Sequence, residues 1–256
     1  MNILFWNLHG NDNVERINHL LIDHDIDVAF FSEFESNSLD SCNKSYHVVE
    51  NKSLCEKVSV VAKNHIEVSV KAGGSRYIIL SCKLDMCDYI LVGLHLNSNI
   101  HSGPEERKST IRYIVDDIKD VESELNTNNT LVIGDFNCSP FDSEMTQKDT
   151  FNCVLYKGII MENDMVKHEK REYKRFYNPM LDYISEKEQR YGSYYYSCGI
   201  NTLYWYTYDQ VILRRELVDK LKKVVFCKEI NKSSIVSNQG IPIKGISDHL
   251  PLLVEV

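Results

Sequence analysis

The sequence has no Cys-x-x-Cys pair, no histidine spacing that would complete a zinc site, no Pro-, Ser- or Gly-rich tract, and no apolar run of membrane-spanning length. Each absence excludes something. Without paired cysteines, the eight at positions 42, 55, 82, 87, 138, 153, 198 and 227 read as reduced, mostly buried thiols. Cys138 among them reads as a small core residue. Without a linker or an internal repeat, residues 1–256 read as a single domain. Met1–Asn7 carries no basic n-region, so the expectation is a cytoplasmic protein with no membrane partner, and no obligate protein partner is inferable. A basic surplus is missing too. The formal net charge is −8, so any polyanion must be met by a local patch.

What is present is an alternation of short buried strands and amphipathic helices. Residues 2–6 are apolar and β-rich and end at Asn7. Asp12 and Glu15 have the spacing of a capping box, and Val14, Ile17, Leu20 and Leu21 follow at helical spacing, which predicts a helix over 13–24. Asp27–Phe31 is the next strand and runs into Ser32-Glu33-Phe34-Glu35. Strand, helix, strand is a crossover unit whose right-handed closure puts Asn7 and Glu33 at one edge of a sheet. Between 46 and 96, short β-branched runs separated by turn residues predict an antiparallel meander. Ser102, Pro104 and Glu105 open a long helix whose apolar face is Ile111, Ile114, Val115, Ile118, Val121 and Leu125. Residues 142–155 read as helical, 210–213 and 223–227 as strands, and 230–244 as a loop.

Leu131-Val132-Ile133-Gly134-Asp135-Phe136-Asn137-Cys138-Ser139-Pro140 is the stretch the rest is organised around. A short buried strand ends at a glycine, and an acid and an amide then appear two apart, on one side of the pleat. Asp and Asn after a strand are also ordinary turn formers. The companions decide between the readings: Asn7, Glu33, His95, Asn97, Asp209, Asp248 and His249 all end or flank apolar strands as well.

These stretches resemble the endonuclease/exonuclease/phosphatase superfamily. The resemblance rests on Trp6-Asn7, Ser32-Glu33, Leu94-His95-Leu96-Asn97-Ser98, Gly134-Asp135-Phe136-Asn137, Tyr208-Asp209-Gln210-Val211 and Ser247-Asp248-His249-Leu250-Pro251, in the family's order over residues 6–251. It implies a four-layer α/β sandwich, two mixed β-sheets packed face to face with helices outside. It also implies Glu33 as the principal metal ligand, with Asn7 and Asp248 close by. Asp135 and Asn137 would orient the attacking water and the phosphate. His249 would contact the scissile phosphate or take the water's proton, oriented by Asp209, and His95 would serve a phosphate oxygen or the leaving group.

Residue chemistry leads the same way. Four carboxylates in one pocket repel unless a cation joins them, and oxygen ligation without cysteine suits Mg²⁺ or Mn²⁺. Phosphate ester hydrolysis is the natural reaction. The segment 165–208 carries Lys167, Lys170, Arg171, Lys174 and Arg175, and is rich in tyrosine. Basic groups beside aromatic faces predict a nucleic-acid substrate, with Asn97, Lys170, Arg171, Lys174 and Arg175 as binding residues. The alternative is that the tyrosines are core and cross-strand pairs and the basic run a solvated helix face. The expectation is therefore a metal-dependent phosphodiesterase, first of all a nuclease. A phosphatase or phosphodiesterase for a lipid headgroup or small phosphoester, and a silent binding protein on the same fold, stay open. So do DNA against RNA, endo against exo, one metal against two, and Asp135 against His249 as the base.

Overall fold

The computed structural model describes the chain except for residues 12, 35–38, 40–41, 51–53, 85, 99–102 and 199–202. Thirteen strands make the two large sheets: β1 (Asn2–Asn7), β2 (Val28–Ser32), β3 (Tyr46–Val49), β4 (Val58–Lys63), β5 (Glu67–Gly74), β6 (Tyr77–Leu84), β7 (Cys87–His95), β8 (Thr130–Asp135), β9 (Cys153–Val154), β10 (Phe176–Tyr177), β11 (Asp209–Leu213), β12 (Lys223–Phe226) and β13 (Leu252–Glu255). The first sheet has the order β12-β13-β1-β2-β4-β3, the second β5-β6-β7-β8-β11-β10-β9. Both are mixed. In the first only β1 and β2 run parallel; in the second the parallel pairs are β7 with β8 and β9 with β10.

Alternation along the strands builds the layers. Leu91, Leu131, Ile133 and Val211 share one core with Leu4, Phe30 and Val60 of the first sheet, whereas Val92, Leu94, Val132 and Ile212 face the other way. The outward set packs on helix α2 (Pro104–Leu125) through Ile111, Ile114 and Ile118. Helix α1 (Val14–Asp23) buries Ile17, Leu20 and Leu21 in the core of the first sheet. The sheets approach closely where Gly93 of β7 meets Phe30 of β2; a Cβ there would lie 2.2 Å from the ring. Five of the eight cysteines are buried, and burial pushes the Cys82 thiol up to about 12. Among the described residues no helix is long and apolar enough to cross a membrane.

Four local expectations need correction. The strands predicted as one meander divide between the sheets, β3 and β4 joining the first and β5–β7 the second. Residues 142–155 hold only a four-residue helix, Ser143–Thr146, because Asn152 turns left-handed and Phe151 and Cys153 go into the core at the sheet's edge. Asp12 and Ser102 lie outside the described residues. Asn13 is the N-cap of α1, but its amide donates to Ile246 O at 2.7 Å rather than capping the helix, and Gly103 is the N-cap of α2. The segment 165–208 contributes β10 to the second sheet. Its basic run lies in a β-hairpin of Met165–His168 and Arg171–Lys174, not on a helix.

Candidate active site

Strand register puts the chemistry in rows. In the second sheet His95, Asp135 and Asp209 are direct neighbours on β7, β8 and β11, and Arg76 continues the row, its carbonyl accepting the His95 N–H at 2.9 Å. In the first sheet Asn7 lies beside Ser32, with Glu33 next in the chain. Ser247–His249 comes in just before β13 and is pinned to β1: the Ser247 hydroxyl donates to Asn7 O at 2.6 Å, and the Trp6 indole N–H to His249 O at 3.1 Å.

The turn after β8 shows how a local rule and a functional one coexist. Asp135 Oδ1 accepts the Asn137 N–H at 2.9 Å while Asn137 adopts φ 49°, an Asx-turn in the left-handed region. The other oxygen, Oδ2, stays available to the cleft and accepts from the Asn7 amide at 3.1 Å. That amide also donates to Glu33 Oε1 at 3.2 Å, so Asn7 ties together two carboxylates that would otherwise repel. Gly134 is required: a Cβ there would sit 2.1 Å from Leu94 O across the parallel pair. Glu33 is also left-handed, with φ 50°, a strain of order 1 kcal/mol that projects its side chain into the cleft mouth.

Asp209 is wholly buried, and its Oδ2 accepts from His249 Nδ1 at 2.7 Å. Burial pushes the Asp209 carboxyl up, against the pull of His249. Burial opposes the charge on His249 as well, but Asp209, through its charge and hydrogen bond, and then Asp135 and Asp248, outweigh it and lift the imidazole to about 10. The short contact and the acidic neighbours together make an imidazolium–carboxylate pair. The Tyr194 ring covers His249, centroids 4.8 Å apart. Opposite, His95 Nε2 is 3.4 Å from Glu33 Oε1 and 3.8 Å from Asp135 Oδ2. His9 Nδ1 lies 3.4 Å from Asp248 Oδ1. His9, Glu33, His95, Asp135, Asp248 and His249 line a cleft of about 550 Å³, whose far wall is Tyr194, Tyr196, Tyr206 and Tyr208, with Asp209 buried behind His249.

A family model described as Endonuclease/Exonuclease/phosphatase family matches residues 4–249. The chain belongs to the endonuclease/exonuclease/phosphatase family. No curated protein sequence matches it significantly. Solved structures share the fold at low identity. The endonuclease domain of TRAS1, a telomere-specific non-LTR retrotransposon, superposes with a TM-score of 0.59 at 12% identity, over 100% of this chain and 97% of that one. TDP2 from D. rerio, complexed with a single-strand DNA product, gives 0.60 at 14% identity over 99% and 97%. The 3′-5′ exonuclease NExo from Neisseria meningitidis gives 0.56 at 13% over 100% and 99%. Members of the family are phosphoric ester hydrolases, and the two-sheet DNase I-like architecture is this chain's own.

Within this family member the structure gathers Asn7, Glu33, His95, Asp135, Asn137, Asp209, Asp248 and His249 about one cleft. Asn7 Oδ1 accepts the His9 N–H at 3.0 Å, and its nitrogen faces the carboxylates. Asn97 lies just outside the cleft lining, its amide 3.4 Å from Glu106 Oε1. Lys170, Arg171, Lys174 and Arg175 do not line this cleft. Lys174 sits with Asn126–Asn128 at the start of β8, the end of the strand opposite to Asp135. Arg175 donates to Asn163 O at 2.6 Å, and its own carbonyl accepts from Arg214. Sequence reasoning missed Arg76 and His9. The only signal for either was its place in a turn, Gly74-Ser75-Arg76 and Leu8-His9-Gly10.

Asp135, Asp209 and His249 offer donor atoms within 4.8 Å of one another and could hold a metal ion. The Asp209–His249 hydrogen bond would have to open for it. Asp248 Oδ1, by contrast, is buried and has no hydrogen-bond partner, and Asp248 lines the cleft with Glu33 and Asp135. Three carboxylates lining one cleft, one of them with a desolvated oxygen, are donors of the kind a hard divalent cation takes.

Proposed function

We propose that the protein is a divalent-metal-dependent phosphodiesterase that hydrolyses nucleic acid. The observation that carries this reading is the composition of one cleft, in which Glu33, Asp135, Asp248, His95 and His249 face a wall of four tyrosines. Glu33 and Asp248, with Asp135 beside them, would hold Mg²⁺ or Mn²⁺. Bound there, the ion would neutralise charge that builds on the phosphate and steady the leaving oxygen.

The protein's own groups divide the remaining work. His249, whose affinity for a proton Asp209 raises, would donate to a phosphate oxygen, oriented by Asp209 beneath it and Tyr194 above it. The base is then Asp135, whose position is fixed by Asn7 and by the backbone of Asn137. His95 faces the leaving-group side of the same row, next to Arg76. Structures of fold relatives with a single-strand DNA product, in TDP2, and with a product DNA hairpin, in the Neisseria 3′ phosphatase NExo, support nucleic acid as the substrate class.

The test is cleavage of end-labelled DNA and RNA with Mg²⁺, Mn²⁺ or chelator. Metal-dependent cutting is expected, with Asp135→Ala and His249→Ala each slower by roughly 10²–10⁴-fold. If the wild type leaves every substrate intact with either metal, the reading is wrong.

A further inference from the structure

The tyrosine wall has more aromatic surface than the hairpin that carries it needs. Tyr194–Tyr195 pairs with Trp205–Tyr206 in a two-stranded ribbon, and Tyr194 against Tyr206 is an ordinary cross-strand pair. Tyr196 and Tyr208 lie outside that pair. Both nevertheless stack on Tyr194, at 6.4 Å with planes 10° apart and at 5.7 Å with planes 23° apart. Tyr196 is 44% exposed, and all three rings line the catalytic cleft. Aromatic faces left open to water within a cleft of carboxylates and histidines mark a binding surface.

The opposite wall has a different character. Across the second sheet the row runs Arg76, His95, Asp135, Asp209, and Tyr208 immediately precedes Asp209. Arg76 and Tyr208 therefore stand at opposite ends of the row, three strand spacings or about 14 Å apart. Beyond Arg76 the cleft continues into an adjoining cavity of about 680 Å³ that adds Lys57, Glu56 and Phe34. One side of the scissile position thus offers a cluster of ring faces, and the other holds the two cations Arg76 and Lys57 among carboxylates.

We infer that the substrate is a single strand, with an unpaired base beside the scissile phosphate stacked on Tyr196, Tyr206 and Tyr208, and the backbone beyond it led past Arg76 and Lys57. This rests on the hydrolase reading of the same cleft and adds the strandedness. A base within a duplex has both faces covered by its neighbours in the stack and gives the wall nothing to hold. A phosphate backbone without bases would meet only the cationic side.

Binding tests this directly, with Mg²⁺ present and phosphorothioate linkages that resist hydrolysis. A 2-aminopurine-containing single strand is compared with its duplex and with an abasic-spacer strand of equal length. The base-bearing single strand is expected to bind tightest and to lose fluorescence on binding, the other two being weaker by roughly 5- to 150-fold, the equivalent of one stacked base. Tyr196→Ala should abolish the preference for bases and Tyr196→Trp should keep it. Tyr196 is exposed, so both variants should fold. Equal affinity for the spacer strand, equal affinity for duplex, no binding at all, or an unchanged preference in Tyr196→Ala would each overturn the inference. Base-dependent binding without cleavage of ordinary linkages would instead overturn the hydrolase reading and leave the stacking wall standing.

Discussion

His249 holds its proton because Asp209 touches it and Asp135 and Asp248 flank it, which gives a pH dependence of definite sign. Its folded pKa, about 10, lies above the free-imidazole value of 6.5. The contribution of His249 protonation to stability is therefore complete below pH 6.5 and is lost as pH rises through about 10. In metal-free protein, imidazole NMR should show the ring titrating near the upper value, and Asp209→Asn should bring it back to or below the free value. A wild-type ring that titrates near neutrality would return the role of base to His249. At this same scale the sequence was legible wherever function and strand ending coincide. Asn7, His95 and Asp135 could be found because an apolar run stops at each of them, and Asp209 because one starts just after it. Arg76 and His9 could not, since a lone charged residue in a turn looks the same whether it faces a cleft or solvent.

Among the elements, α2 is fastened to the second sheet by charge as well as by its apolar face. Arg214, just after β11, is fully buried; its Nε donates to Glu122 Oε1 at 2.8 Å, and its guanidinium lies 3.8 Å over the Phe176 ring. Glu122 also accepts from the Thr130 hydroxyl at 2.7 Å, so one carboxylate joins the end of α2 to the starts of β8 and the loop after β11. Glu122→Ala strands a buried cation and is expected to cost about 3–5 kcal/mol in urea unfolding. Replacing both partners, Glu122→Leu with Arg214→Met, should recover most of that loss. Elements with long periodic patterns, α1 and α2, were readable from spacing alone. The division of β4 and β5 between two sheets was not, because antiparallel neighbours in sequence carry the same alternation whether or not they pair. The helix expected at 142–155 failed for a related reason: burial of Phe151 and Cys153 at the sheet edge overrode local propensity.

For the whole molecule, the site exists only where the two sheets meet, since Asn7, Glu33 and Asp248 belong to one and His95, Asp135 and Asp209 to the other. A cation held among them should tie the sheets together. Mg²⁺ at 100 times its dissociation constant is expected to raise the melting temperature by roughly 5–10 °C, and Glu33→Ala to remove that rise. An unchanged melting temperature in Mg²⁺ and Mn²⁺ would take the metal out of the mechanism. The layered architecture could be anticipated from the order of motifs, whereas the position of the basic hairpin at the far end of the sheet depended on long-range packing that composition does not encode.

β13 lies in the interior of its sheet, between β12 and β1, although it follows every other sheet strand in the chain, and Asp248 and His249 lie just ahead of it. Synthesis delivers the neighbour of β1, and with it Asp248 and His249, after the other strands of both sheets. Until β13 is in place beside β1 the cleft lacks those two residues, so completing the first sheet and completing the cleft are one event.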